Sequence, residues 1–211
     1  MAKITYTTKI DNQTSALPAI NKVAAADLNE IKTSVNAAYD KFGGFAFYED
    51  ATTSGTPINL TADTWTDLTN DKAGTGTISN LPSYVSGDLW DSAANKIDTS
   101  KVGANKVLLI RNDFDVTAGA ANTRLDARLY FPDTGKSIEF SHDNIASNGD
   151  QVRYSRTTQI FTRTSELTGG CKIQVKVGKS GATAIVEDSV CLLYTSPSPR
   201  DRTRSRMPSS A

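Results

Sequence analysis

The stretch Arg124-Leu125-Asp126-Ala127-Arg128-Leu129-Tyr130-Phe131 decides the fold. Leu125, Ala127, Leu129 and Phe131 alternate with Arg124, Asp126, Arg128 and Tyr130. A period of two belongs to a strand with one face in a core and one in water. Asp126, set between two arginines on the outward face, reads as part of a surface charge ladder of small energetic weight. Asp133-Thr134-Gly135 predicts a hairpin turn into a second strand, Ser137 to Ser141, carrying Ile138 and Phe140.

The same pattern recurs on both sides. Cys171, Ile173, Val175 and Val177 face inward, with Lys172, Gln174 and Lys176 outward. Lys106-Val107-Leu108-Leu109-Ile110-Arg111 is an apolar run of strand length, predicted to be buried on both faces and continued by Phe114-Asp115-Val116. Phe45, Phe47 and Tyr48 begin an earlier strand, and Ala184-Ile185-Val186 a later one. Short strands broken by Gly, Asp and Asn turns indicate an antiparallel sandwich.

One segment departs from this period. From Asn21 to Phe42, the apolar residues Ala24, Leu28, Ile31, Val35, Ala38 and Phe42 are spaced alternately by four and three, an a/d heptad seam. A seam this narrow suits a partner helix, and three heptads are marginal alone in water. An amphipathic helix packed on its own domain is the alternative. Gly43-Gly44 ends the helix, and residues 1–20 form a polar, extended arm before it.

The 211 residues hold one domain, or one plus a small appendage. Hydrophobic content is only 38%, with abundant Thr, Ser, Asn and Gly, which fits a loop-rich β protein. The 23 basic and 23 acidic side chains cancel, but four arginines and one aspartate lie beyond Val190. That leaves 19 basic against 22 acidic before it, so nucleic-acid binding is not expected. Met-Ala-Lys-Ile-Thr-Tyr has no apolar h-region, and no run approaches the length of a membrane span, so no membrane insertion is expected.

Residues 191–211 differ in composition from everything before them. Cys-Leu-Leu-Tyr-Thr-Ser-Pro-Ser-Pro-Arg-Asp resembles a translated transposase adapter used in preparing sequencing libraries, whose codons encode those residues in order. This implies a non-native disordered tail, a native sequence ending near Val190, a gene assembled from environmental reads, and a missing C-terminus. Cys191 and the Arg-rich patch then carry no functional weight.

Catalytic hardware is thin. His142, the only histidine, follows a predicted strand and reads as a turn residue, since a triad needs convergence in space rather than adjacency. Cys171 alternates with apolar residues and reads as a small core residue. Asp113 and Asp115 share a strand face, and read as solvated strand-edge carboxylates because calcium needs more oxygens and a glycosidase needs a pair across a cleft. No phosphate loop or HExxH motif is present. No enzyme activity, metal or cofactor is expected. Trp65, Trp90, Tyr84, Tyr130 and Tyr154 are candidates to stack on sugars. Trp65, flanked by threonines, is assigned to the core. Trp90, in a polar setting, and Tyr84 are the candidate ligand contacts.

A polar arm, a short heptad helix, Gly-Gly and then a sandwich make a layout that resembles bacteriophage fibre or spike proteins. The resemblance is carried by Ile4-Thr5-Tyr6 through Asp11-Asn12 with Pro18 to Val23, by Ala25 to Lys32 with Val35-Asn36, and by Lys106 to Phe114. It implies a mainly β protein whose residues 44–190 form a jelly roll of the tumour-necrosis-factor/C1q type, preceded by one helix at residues 21–43 acting as trimerisation stalk. It also implies a homotrimer in the virion, attached to other virion proteins through residues 1–20 and binding a host-surface glycan or protein. The alternatives are a capsid-decoration or baseplate component that binds only virion proteins and, further off, a capsule depolymerase. The thin alanine positions in the seam place most of the trimer's stability in the sandwich.

Overall fold

Alternation over a β-strand becomes burial only when another layer covers the apolar side. A computed structural model describes residues 25–39, 43–82, 84–162 and 169–194, and shows how that cover is built. The chain divides into two units, Met1–Phe42 and Gly43–Ala211. In the first, α1 spans Ala25–Tyr39. The arm and the helix ends at 21–24 and 40–42 lie outside the described residues. No helix among the described residues is long and apolar enough to cross a membrane.

The second unit contains β1 (Gly44–Glu49), β2 (Ile58–Leu60), β3 (Thr66–Asp67), β4 (Ile78–Asn80), β5 (Trp90–Asp91), β6 (Lys96–Ile97), β7 (Val107–Thr117), β8 (Thr123–Phe131), β9 (Lys136–Ile145), β10 (Gln151–Phe161), β11 (Lys172–Val177) and β12 (Ala182–Tyr194). One sheet runs in the order β10-β7-β12-β1-β4, with β2 also paired to β12; the other runs β3-β11-β8-β9. Every pairing between these strands is antiparallel. Among the eight principal strands, first pairs with last (β1 with β12), second with seventh (β3 with β11), third with sixth (β7 with β10) and fourth with fifth (β8 with β9). That nesting is one long hairpin rolled up, and it makes the sandwich a jelly roll.

The core follows the predicted inward residues. Leu125, Ala127, Leu129 and Phe131 of β8 share one buried core with Ile173, Val175 and Val177 of β11, with Cys171 just before it, and with Leu108, Ile110, Phe114 and Val116 of β7. Phe114 stacks on Tyr154 of β10 at a centroid distance of 5.3 Å. Burial pushes the Tyr154 phenol up to about 12. The β8–β9 turn closes as predicted: Gly135 sits at φ 68°, a left-handed conformation that glycine adopts without penalty, and its N–H donates to the Phe131 carbonyl.

Two sequence expectations are corrected here. Strand β12 runs through the boundary expected at Val190 and ends at Tyr194. Cys191 and Leu193 are fully buried, and β12 pairs with both β1 and β7 over this stretch. Residues 191–194 therefore belong to the sandwich rather than to a disordered tail. The reason is periodic: Ser189, Cys191 and Leu193 continue one inward face beyond the register shift between Val186 and Asp188. Burial pushes the Cys191 thiol up to about 12 and the Cys171 thiol higher still, so both are plain thiols at neutral pH. Residues 195–211 lie outside the described ones. Second, the run Val107 to Arg111 of β7 is buried on one face only. Leu108 and Ile110 are inside, while Val107, Leu109 and Arg111 are only half-buried.

Candidate functional site

The two tryptophans exchange the roles expected of them. Trp90 is 1% exposed, and its indole N–H donates to the Asn70 carbonyl at 2.6 Å. It is a core residue, not a ligand contact. A polar sequence around it did not prevent burial, because β5 pairs Trp90 with Ile97 and the preceding Leu89 N–H donates to the Tyr48 hydroxyl, so both enter the core. Tyr84 is half-buried, packs on the core cluster and lies under the Lys106 ammonium at 4.8 Å. Trp65, assigned to the core, is instead only half-buried. The Arg128 guanidinium lies 3.9 Å from its ring centre and the Lys176 ammonium 4.8 Å.

Trp65 opens a polar cluster on the outer face of the β3-β11-β8-β9 sheet. Its hub is Asp126, whose side chain is 3% exposed. Asp126 accepts from Arg124 Nε at 2.9 Å, contacts His142 Nδ1 at 2.9 Å and lies 3.4 Å from Lys176 Nζ. Burial alone would raise its pKa, but the hydrogen bonds from His142 and Arg124 and the Arg124 charge outweigh it and hold the carboxyl below its usual range. Asp126 is thus not a solvated charge in a ladder. Nor is His142 a turn residue: it lies within β9, opposite Asp126, with Nε2 3.1 Å from Glu139.

A depressed carboxylate pKa stabilises the fold above the unfolded value of 3.8, and that contribution is lost as pH falls through the lower folded value. Asp126→Asn is expected to cost about 1–2 kcal/mol at pH 7, the worth of hydrogen bonds between a buried carboxylate and cations that can partly rehydrate. Urea midpoints across pH check this: the gap between variant and wild type narrows below pH 4.

A second chain of bonds fixes Arg128. Its Nε donates to Gln174 Oε1 at 2.9 Å; Gln174 Nε2 donates to Asp67 Oδ1 at 2.7 Å; Lys172 Nζ lies 2.6 Å from Asp67 Oδ2. Gln174, expected outward, does point outward yet is 8% exposed, covered by these partners. The sequence signal for this cluster was Arg-x-Asp-x-Arg on β8 and Lys-x-Gln-x-Lys on β11, polar positions that face one another once the strands pair.

The opposite sheet has a different outer face. Phe45, Phe47, Ile78, Leu109, Val190 and Leu192 point away from the core, joined by the cross-strand pairs Phe45–Leu192, Leu192–Leu109, Phe47–Val190 and Phe47–Ile78. Phe45 is 38% and Ile78 48% exposed. Further along the same face Asp113 and Asp188 sit side by side, both bridged by Arg111 at 2.9 and 3.5 Å. Asp113 is 5% exposed on a central strand, which corrects its reading as a solvated edge carboxylate.

Burial pushes Asp188 up to about 6, aided by its contact with Asp113, with Arg111 opposing. A raised folded pKa stabilises below the unfolded value of 3.8, and that stabilisation is lost as pH rises towards 6. Asp188→Asn therefore is expected to stabilise the sandwich at pH 7.5 by on the order of 1–3 kcal/mol, and to make no difference near pH 4. Chemical denaturation at the two pH values checks it.

Of the helix seam, Leu28, Ile31 and Val35 are 39%, 55% and 47% exposed. Ala24 and Phe42 lie outside the described residues, as does the Ala38 side chain.

No protein-family model and no curated protein matches this chain. Among solved structures, a PRD1 vertex protein is 14% identical, covers 74% of this chain and 98% of its own, and superposes with a TM-score of 0.41. The globular domain of a zebrafish complement 1qA protein gives 10% identity, 72% and 94% coverage and a TM-score of 0.37. The Eiger TNF of S. frugiperda gives 9%, 81%, 98% and 0.39. It is the nested strand pairing that establishes the jelly roll.

Proposed function

We propose that this chain is a structural protein of a bacteriophage virion, a homotrimeric fibre or spike whose jelly roll meets a host-surface receptor, and that it is not an enzyme. The observation that carries the assembly is the apolar outer face of the β10-β7-β12-β1-β4 sheet. The run Val107 to Ile110 has the composition of a strand covered on both sides, yet a single chain covers only one. Exposed, contiguous apolar surface of this kind is the mark of an interface. The occupant is a second copy of the same chain, because the same molecule carries an exposed a/d seam, and such a seam finds its complement in an identical helix. The likeness of Ile4–Val23, Ala25–Lys32 and Lys106–Phe114 to phage fibre proteins supports the virion setting, with residues 1–20 as the attachment to other virion proteins. Three copies would present three receptor sites together, so weak single contacts would sum by avidity.

Light scattering on the full chain tests the reading. The expected mass at micromolar concentration is three times 22.6 kDa. A folded monomer would overturn it.

A further inference from the structure

We propose that Arg128, held between Trp65 and Tyr130, is the binding site for a saccharide carboxylate. This names the ligand chemistry for the receptor-binding role proposed above and rests on that reading. The Arg128 guanidinium lies 3.9 Å from the Trp65 ring centre and 4.8 Å from that of Tyr130. Its Nε is committed to Gln174, itself buried and held by Asp67. The guanidinium is therefore fixed in plane and position before any ligand arrives, which lowers the ordering cost of binding.

The charge account of this face leaves Arg128 over. Asp126 is engaged by Arg124, Lys176 and His142, and Asp67 by Lys172 and Gln174. No carboxylate among the described residues pairs with Arg128. Its two Nη groups form a planar fork of donors that matches a carboxylate in bidentate geometry. Lys176, 4.8 Å from the Trp65 ring centre, adds a second positive charge beside the fork. The half-buried rings of Trp65 and Tyr130 supply apolar surface next to it, which a pyranose ring can cover. Carboxylate and sugar ring together select an acidic saccharide over a free small anion or a neutral glycan.

The test uses the full chain and calorimetric titration with three acidic probes: an α-1,4-linked galacturonate hexasaccharide, an alginate hexasaccharide and a sialylated trisaccharide. The methyl-esterified galacturonate hexasaccharide is the neutral control. At least one acidic probe is expected to bind saturably, with the methyl-esterified neutral control about tenfold or more weaker. Arg128→Lys keeps the charge but loses the fork and the stacking, and is expected to lower affinity about tenfold. Lys179→Ala, in the β11–β12 turn where its ammonium donates to the Ala121 carbonyl, is the control variant and leaves binding unchanged. The proposal is overturned if no acidic probe binds at about 10 mM, or if Arg128→Lys binds as wild type does. Light scattering on the same samples separates the two readings. A trimer that ignores all probes keeps the assembly and discards this site; a monomer that binds them keeps the site and discards the assembly.

Discussion

Phe45→Glu is expected to leave the jelly roll folded and to abolish the proposed trimer. Phe45 is 38% exposed in the single chain, on a face that points away from the core, so a carboxylate there is solvated in the monomer. In the assembly the same carboxylate would sit beside Leu192 and Leu109, in surface that association removes from water. Desolvating a charge without a partner costs about 2 kcal/mol or more per copy. Three copies raise the cost to roughly 6 kcal/mol, on the order of four decades in the association constant. The helix cannot make up that loss, since three heptads with alanine at two seam positions are marginal by themselves. Asn144→Glu, exposed on the opposite sheet, is the matched control and keeps the trimer. Light scattering and circular dichroism on both variants give the result. A Phe45→Glu protein that remains trimeric would move the interface off this sheet.

How much of this was legible in the sequence depends on distance along the chain. Strands β8 and β11 were readable because a period of two is local: Leu125 and Leu129, or Ile173 and Val175, declare their side without reference to any other segment. The hairpin at Asp133–Gly135 was readable for the same reason. The nesting of β1 with β12 and β3 with β11 was not, since it joins segments more than a hundred residues apart, and periodicity carries no pairing information. Asp126 was misread because its cover comes from elsewhere: Lys176 on β11 and His142 on β9 reach it only across the assembled sheet. The apolar run Val107 to Ile110 was expected to be buried on both faces, and the single chain buries only one of them. Under the proposed assembly a second copy supplies the missing cover. The end of β12 was hidden by a compositional break at Val190 that the alternation of Ser189, Cys191 and Leu193 ignores.

Trp90→Ala is expected to cost about 3–5 kcal/mol, the range for deleting a buried aromatic and leaving a cavity behind. The site has little freedom to collapse. Leu89 and Tyr48 on one side are fully buried, and their contact is fixed by the bond from the Leu89 N–H to the Tyr48 hydroxyl. Asn70 on another side is 1% exposed and holds its place by donating to the Tyr48 carbonyl at 2.9 Å. Removing the indole also strips the Asn70 carbonyl of its donor, a further loss of about 1 kcal/mol. Against a usual domain stability of about 5–15 kcal/mol, this leaves a protein close to unfolding. Trp90→Phe separates the two contributions: it keeps most of the ring and loses the N–H, and about 1–3 kcal/mol is expected. Trp65→Ala gives the contrast. Its ring meets Arg128 and Lys176 at a half-exposed site, where each cation contact is worth about 0.5–1 kcal/mol, so a loss under about 2 kcal/mol is expected. Urea unfolding followed by circular dichroism measures all three without depending on either tryptophan as the probe. If Trp65→Ala proves the more damaging, Trp65 is the core residue after all, and the ring beside Arg128 is not free to meet a sugar.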